Sequence, residues 1–167
     1  MKPKTKKNIQ AAFAGESQAH MKYSIFADAA KREGFKNICR LFTAISFAEK
    51  VHASNHFRVV YGAGPTTENL QSAIDGETYE VKKMYPEFMA AAKKDKEPDA
   101  IRSIHFAFEA EKTHAKMYAD AKRSAKAGKD IRVSSVYICS VCGHTVFGKA
   151  PVNCPVCGVK RNRFKKF

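Results

Sequence analysis

No stretch of this 167-residue chain approaches the ~18 consecutive apolar residues of a membrane span. Its start, Met1-Lys2-Pro3-Lys4-Thr5-Lys6-Lys7, leads into an amphipathic pattern instead of the apolar region of a signal peptide, so a cytoplasmic location is expected. Cysteine is scarce. There are five, four of them as two Cys-x-x-Cys pairs near one end, which argues against a disulfide framework and for metal ligation in a reducing compartment. Acidic residues are scarce as well: 16 against 30 lysines and arginines, a formal net charge of +14. Such an excess raises the question of nucleic acid. No helix-turn-helix or aromatic-basic strand signature accompanies it, and the basic residues are scattered over every segment, so the charge reads as a surface for acidic partners. What remains is ordinary globular material, 44% hydrophobic and 28% charged, enough for a real core.

Helical periodicity covers most of the chain. From about Thr5 to Glu33, one face carries Ile9, Phe13, Glu16, Tyr23, Phe26 and Ala30. Glu33-Gly34-Phe35 stops that helix, since glycine tolerates the left-handed conformation that commonly ends one. A second helix runs from about Lys36 to Tyr61, with Ile38, Phe42, Ile45, Glu49, His52 and Val59 on its stripe, and ends at Gly62-Ala63-Gly64-Pro65. The third begins near Thr67, with Thr66 or Thr67 as N-cap, and its stripe is Leu70, Ile74, Glu77, Val81, Met84 and Phe88. Pro86 predicts a kink or a break in it. After the loop Asp95-Lys96-Glu97-Pro98, a fourth helix carries Ile101, Ile104, Phe108, Glu111, Ala115 and Tyr118 and stops at Gly128.

Charged residues sit inside these apolar stripes. Glu49 and His52 are three apart and share one helical face, as do Glu111 and His114. A single Glu-x-x-His is most simply a helix-surface ion pair or a hydrogen-bonded core histidine. Here it occurs twice, and the other two helices each add a carboxylate on the stripe, Glu16 and Glu77. One Glu from each of two helices and a Glu-x-x-His from each of the others is the di-metal carboxylate pattern of a ferritin-like four-helix bundle. The spacing agrees with antiparallel hairpins: Glu16 and Glu49 are 33 apart with their midpoint beside Gly34, and Glu77 and Glu111 are 34 apart with their midpoint at Lys94. The chain thus reads as an approximate internal duplication. Glu80, three after Glu77, is a seventh candidate ligand whose simpler reading is a solvated glutamate. His56 reads as a packed histidine or one behind the ligands, while His20, His105 and Cys39 carry no signal separable from packing.

Beyond Asp130, the last acidic residue, come seven basic ones: Arg132, Lys149, Lys160, Arg161, Arg163, Lys165 and Lys166. The expected division is a four-helix domain over 1–128, a linker over 129–135 and a small metal-binding β module over 136–167. In that module, Cys139-x-x-Cys142-Gly and Cys154-Pro-x-Cys157-Gly are separated by eleven residues, a strong four-thiolate signal. Glycine after each second cysteine frees the backbone to fold around sulfur. Iron and zinc both satisfy four thiolates. A segment this short builds little core without its metal.

Glu16, Glu49-x-x-His52, Glu77-x-x-Glu80 and Glu111-x-x-His114, followed by the two cysteine knuckles, closely resemble the rubrerythrin family in order and over nearly the whole chain. The resemblance implies an all-α ferritin-like bundle with a C-terminal rubredoxin-like domain. It implies that Glu49 and Glu111 bridge two irons, that Glu16 and Glu77 are terminal carboxylates, and that His114 is a nitrogen ligand. His52 and Glu80 would be alternative ligands of the other iron, Tyr23 and Tyr85 match the family's tyrosines near the site, and Cys139, Cys142, Cys154 and Cys157 would hold rubredoxin-type iron. The activity implied is a non-haem di-iron peroxidase that reduces hydrogen peroxide to water. Its electrons would come from an acidic donor such as reduced rubredoxin, itself fed from a nicotinamide cofactor. Two other readings use the same residues: a ferritin-like iron oxidase or storage protein, and a non-enzymatic metal-binding protein with a zinc ribbon.

The connection between the second and third helices is short for this topology. In the arrangement that the resemblance implies, those helices run parallel. With Glu49 and Glu77 at one height, the helix ends stand about 35 Å apart at 1.5 Å per residue. About five linking residues reach at most ~20 Å. Either the third helix runs antiparallel to the second, or the chain forms a homodimer in which two chains swap hairpins to complete each site.

Overall fold

The computed structural model describes residues 1–167 and divides into two compact units, Met1–Ala63 and Gly64–Phe167. The first is a helical hairpin of α1 (Pro3–Arg32) and α2 (Lys36–Val60). Gly34, at φ +86°, makes the turn, and the Gly34 and Phe35 N–H groups bond back to the Lys31 and Ala30 carbonyls. Small residues bring the helices close. Ala27, Ala30, Ser46 and Ala53 are buried, and Ser46 Oγ donates to the His20 carbonyl while His20 Nδ1 donates to that of Ser46. His20 is therefore a seam residue, bonded across the hairpin. Aromatic rings fill either end, Phe13 with Phe57 and Tyr61, and Phe42 with Tyr23 and Phe26.

The α2 stripe is only partly covered: Ile38 is 46% exposed, Ile45 41% and Val59 60%. Periodicity marked that face as buried, but a hairpin covers only the strip of each helix that meets the other, and the flanks stay open.

The second unit contains α3 (Thr66–Tyr79), a π-helical turn (Glu80–Met84), α4 (Tyr85–Lys94), α5 (Pro98–Lys126) and a three-stranded antiparallel sheet. The helix α3 starts one residue before the expected position. Its cap is Pro65, whose carbonyl accepts the Glu68 and Asn69 N–H groups, and neither Thr66 nor Thr67 caps by its side chain. The interruption expected at Pro86 takes the form of the π turn. Pro86 has no N–H, and its ring crowds the carbonyl of Lys82 four residues back. The backbone widens just upstream, where the Tyr85 N–H bonds to the Glu80 carbonyl five residues away.

The sheet runs in the order β2 (Thr145–Phe147), β1 (Val136–Cys139), β3 (Phe164–Lys166), with Ile138 opposite Thr145 and Cys139 opposite Phe164. Cys139, Cys142 and Cys154 are its buried centre, covered by Val156, Val159, Phe164 and, from α5, Phe106. Gly143 and Gly158 take φ of +78° and +76°, as the knuckle reading requires. A Cβ on Gly143 would also meet Ala110 of α5 at 3.9 Å. The sheet module thus rests on α5 through its first knuckle.

Candidate metal centres

Each hairpin gathers one carboxylate-imidazole group. In the first, Glu16 on α1 and Glu49 and His52 on α2 bring ligand atoms within 4.8 Å of one another. His52 Nδ1 lies 2.9 Å from Glu49 Oε2, and hydrogen bonding to His52, then to Glu16, holds the Glu49 carboxyl below the usual range. The His52 side chain remains 54% exposed, with Glu49 as its polar partner.

In the second group, Glu77 on α3 joins Glu111 and His114 on α5, again within 4.8 Å. His114 Nδ1 stands 2.6 Å from Glu111 Oε2 and 3.9 Å from Glu77 Oε1. Burial, and then the neighbouring Glu111 carboxyl, push Glu77 up to about 7. Glu80, which opens the π turn, falls outside the close group. Its carboxyl is nonetheless raised by burial and by the charge of Glu77, and lowered in part by His114. Tyr85, just past the turn, is raised by burial and by Glu80, Glu111 and Glu77, so its hydroxyl keeps its proton beside the carboxylates. Tyr23 stacks against Phe26 and Phe42 within the first hairpin.

The other nitrogen of His114 is also held. Nε2 lies 2.8 Å from Thr145 Oγ1 on β2, and Thr145, itself buried, donates its hydroxyl to the Gly143 carbonyl at 3.0 Å. No motif marks Thr145 in the sequence. Its role comes from the docking of the sheet on α5. His144 beside it is half-buried, with Nδ1 shut from solvent and unpartnered, and burial, then the charge of His114, lower its affinity for a proton.

The four cysteine sulfurs also lie within 4.8 Å of one another, with Sγ–Sγ distances of 3.6 Å for Cys139 and Cys157 and 3.5 Å for Cys142 and Cys154. Thiolates about 2.3 Å from a central ion would stand about 3.8 Å apart, so the cluster matches a tetrahedral cradle. Its thiols are unequal. Burial raises Cys142 and Cys157, whereas for Cys139 the burial effect is outweighed by N–H groups of Val141 and Cys142, which favour the thiolate. The oxygen and nitrogen sets also suit their ions. Carboxylates crowded enough to retain a proton near neutrality are relieved by a cation placed among them.

The candidate ligands therefore fall into a four-thiolate cluster and two three-residue groups, one per hairpin, with Glu80 and Tyr85 flanking the second. These features define a helical di-metal carboxylate protein joined to a four-thiolate module. A family model described as Rubrerythrin matches residues 7–122, and one described as the rubrerythrin rubredoxin-like domain matches residues 137–165. The chain belongs to the rubrerythrin family. It is 43% identical to rubrerythrin-2 of Clostridium acetobutylicum, over 95% of this chain and 94% of the relative. It is 32% identical to nigerythrin of Nitratidesulfovibrio vulgaris over 98% and 86%. A structure of fully reduced, all-ferrous nigerythrin matches with a TM-score of 0.59 at 31% identity, covering 98% of this chain and 86% of that one. The cofactors are those of the family, two irons in the helical part and a rubredoxin-like metal at the four cysteines. The chain is thus a di-iron protein of oxidoreductase character. None of its helices is long and apolar enough to cross a membrane.

Proposed function

We propose that this chain is a peroxidase that reduces hydrogen peroxide to water in protection against oxidative stress. One observation carries the reading over iron storage: the four-thiolate module packs, through Phe106 and Ala110, on the helix that bears Glu111 and His114. Storage has no need of an electron-relay module beside its metal ligands. When bound, the pair of irons supplies the two electrons of the reduction, and the four-thiolate iron replenishes them one at a time. The overall change consumes one peroxide, two protons and two electrons and yields two waters. The protein's own groups supply the environment. Tyr85, whose hydroxyl keeps its proton beside the carboxylates, is the group placed to donate a hydrogen bond or a proton there.

In this reading, Glu49 and Glu111 would be the bridging ligands, Glu16 and Glu77 the terminal carboxylates, and His114 a fixed nitrogen ligand. His52 and Glu80 would be alternative ligands of one iron, and Cys139, Cys142, Cys154 and Cys157 would hold the relay iron. The functional division is 1–128 and 136–167, joined by 129–135. The electron donor is acidic, such as a rubredoxin supplied from NADH, and meets the terminal module with its seven basic residues after Asp130.

The same reading includes a homodimer that swaps hairpins. Glu49 is 11 residues from the end of α2, and Glu77 is 11 from the start of α3. In the family topology, ends of parallel helices would be about 33 Å apart at 1.5 Å per residue. Residues Tyr61–Pro65 between them reach at most about 20 Å. Two chains that each lend one hairpin satisfy both constraints. The activity is tested with Glu80→Ala. It should retain about two irons per site, because the bridging and terminal carboxylates remain, and lose peroxide turnover. Full turnover in that variant would sink the assignment.

A further inference from the structure

The first and second Glu-x-x-His groups are alike in sequence but differ at the far nitrogen of the histidine. On the first, the ring meets Glu49 through Nδ1 at 2.9 Å. On the second, Nδ1 faces Glu111 and Nε2 meets Thr145 Oγ1 at 2.8 Å. A threonine hydroxyl has one proton to donate. Thr145 directs it to the Gly143 carbonyl at 3.0 Å, so towards His114 its oxygen accepts. Nε2 then carries a hydrogen, so in the neutral ring that would hold a metal the lone pair falls on Nδ1, where the proton shared with Glu111 at 2.6 Å gives way to the metal. Both ends of this link are sheltered: Thr145 is 6% exposed, and the His114 side chain 26% against 54% for His52.

We infer that Thr145, in the four-cysteine module, is the positioning residue of the di-iron centre: it fixes the tautomer and ring orientation of His114 so that Nδ1 is presented to iron. The four-thiolate module thereby has a second role, completing the support of a ligand on the helix beneath it. The bond from Thr145 to Gly143 ties that support to the residue that follows Cys142. Partners of this kind typically contribute 10- to 100-fold to metal affinity.

This inference rests on His114 being an iron ligand, as proposed above. The test is ferrous titration of the full-length protein against a competing chelator, with the absorption of the four-thiolate iron recorded in each sample. Thr145→Val has nearly the same shape and no hydroxyl. It should bind ferrous ion about 10- to 100-fold more weakly in the helical site while the four-thiolate spectrum stays unchanged. Thr145→Ser, which restores the hydroxyl, should recover most of that affinity. Unchanged affinity in Thr145→Val, or equal loss in Thr145→Ser, would overturn the inference. His114→Ala serves as the reference. If it weakens binding and Thr145→Val does not, the ligand assignment stands and only the role of Thr145 fails. If His114→Ala binds iron as the parent does, the assignment and the inference fail together.

Discussion

The two hairpins carry the same chemical pattern and hold it differently. In Met1–Ala63, the histidine of the pair is half exposed, and the second polar anchor of the hairpin, His20 with Ser46, is spent on the helix seam. In Gly64–Phe167, the corresponding histidine is bonded at both nitrogens, and a proline-induced π turn carries Glu80 and Tyr85 to its flank. One imidazole is half exposed and held at one nitrogen, and the other is sheltered and held at both. A duplicated motif has thus acquired two mechanical characters, and the added cysteine module makes much of the difference. In the proposed ligand set the half-exposed histidine is the exchangeable ligand and the doubly held one is the constant ligand.

The comparison breaks most severely if the module is lost. Cys154→Ser should abolish four-thiolate absorption and unfold the segment after Asp130, since a short module without its metal lacks a sufficient core. Helical circular dichroism should fall little, and His114 should become as reactive to an imidazole-modifying reagent as His52. Retention of protected His114 would show that α3 and α4 alone pin it.

Mixing chains asks whether each hairpin serves a site completed by another chain. A Glu16→Ala, Glu49→Ala chain refolded with a Glu77→Ala, Glu111→Ala chain should regain part of the peroxidase activity, through one intact site per hybrid dimer. Inactive hybrids would mean that a single chain builds each site.

Removing each histidine sharpens the contrast further. His114→Ala should weaken iron binding at least as much as the loss of its outer partner does, about 10- to 100-fold, and His52→Ala should weaken it less, since in the proposed ligand set Glu80 takes its place. Calorimetric or chelator-competition titrations distinguish the two, and equal losses would erase the distinction between constant and exchangeable ligand.

The smallest effect is a pH dependence of the metal-free second hairpin. Glu77 is raised from an ordinary 4.5 to about 7, so the folded state holds a proton that the unfolded chain has released. Between those values the native state binds more protons than the unfolded one, and stability falls as pH rises from about 4.5 to 7, then levels off. Denaturant midpoints of metal-free protein should show this decline, and Glu77→Gln should flatten it.

Much of this was legible in the residues. Four apolar stripes, Gly34, Gly128 and the loop before Pro98 marked the helices, and carboxylates in those stripes marked the candidate ligands that the fold gathers into two groups, because a buried charge needs a partner or a metal. The cysteine spacing defined the module for the same reason: sulfur ligands of one ion must converge, and short knuckles make them do so. Local rules served less well where two local preferences competed, as at the start of α3, where the Pro65 carbonyl displaced threonine as the cap.

What the linear pattern left undecided concerns surfaces that meet only after folding. Periodicity identifies an apolar face but not its cover, so the exposure of Ile38, Ile45 and Val59 was invisible to it. It also made Glu49-x-x-His52 and Glu111-x-x-His114 equivalent, since each motif is complete within four residues. Only the tertiary structure separates them, by setting β2 against α5 so that Thr145, 31 residues from His114, reaches its far nitrogen. A hydrogen bond across that distance in the chain has no local signature, because it depends on how two separately specified elements dock.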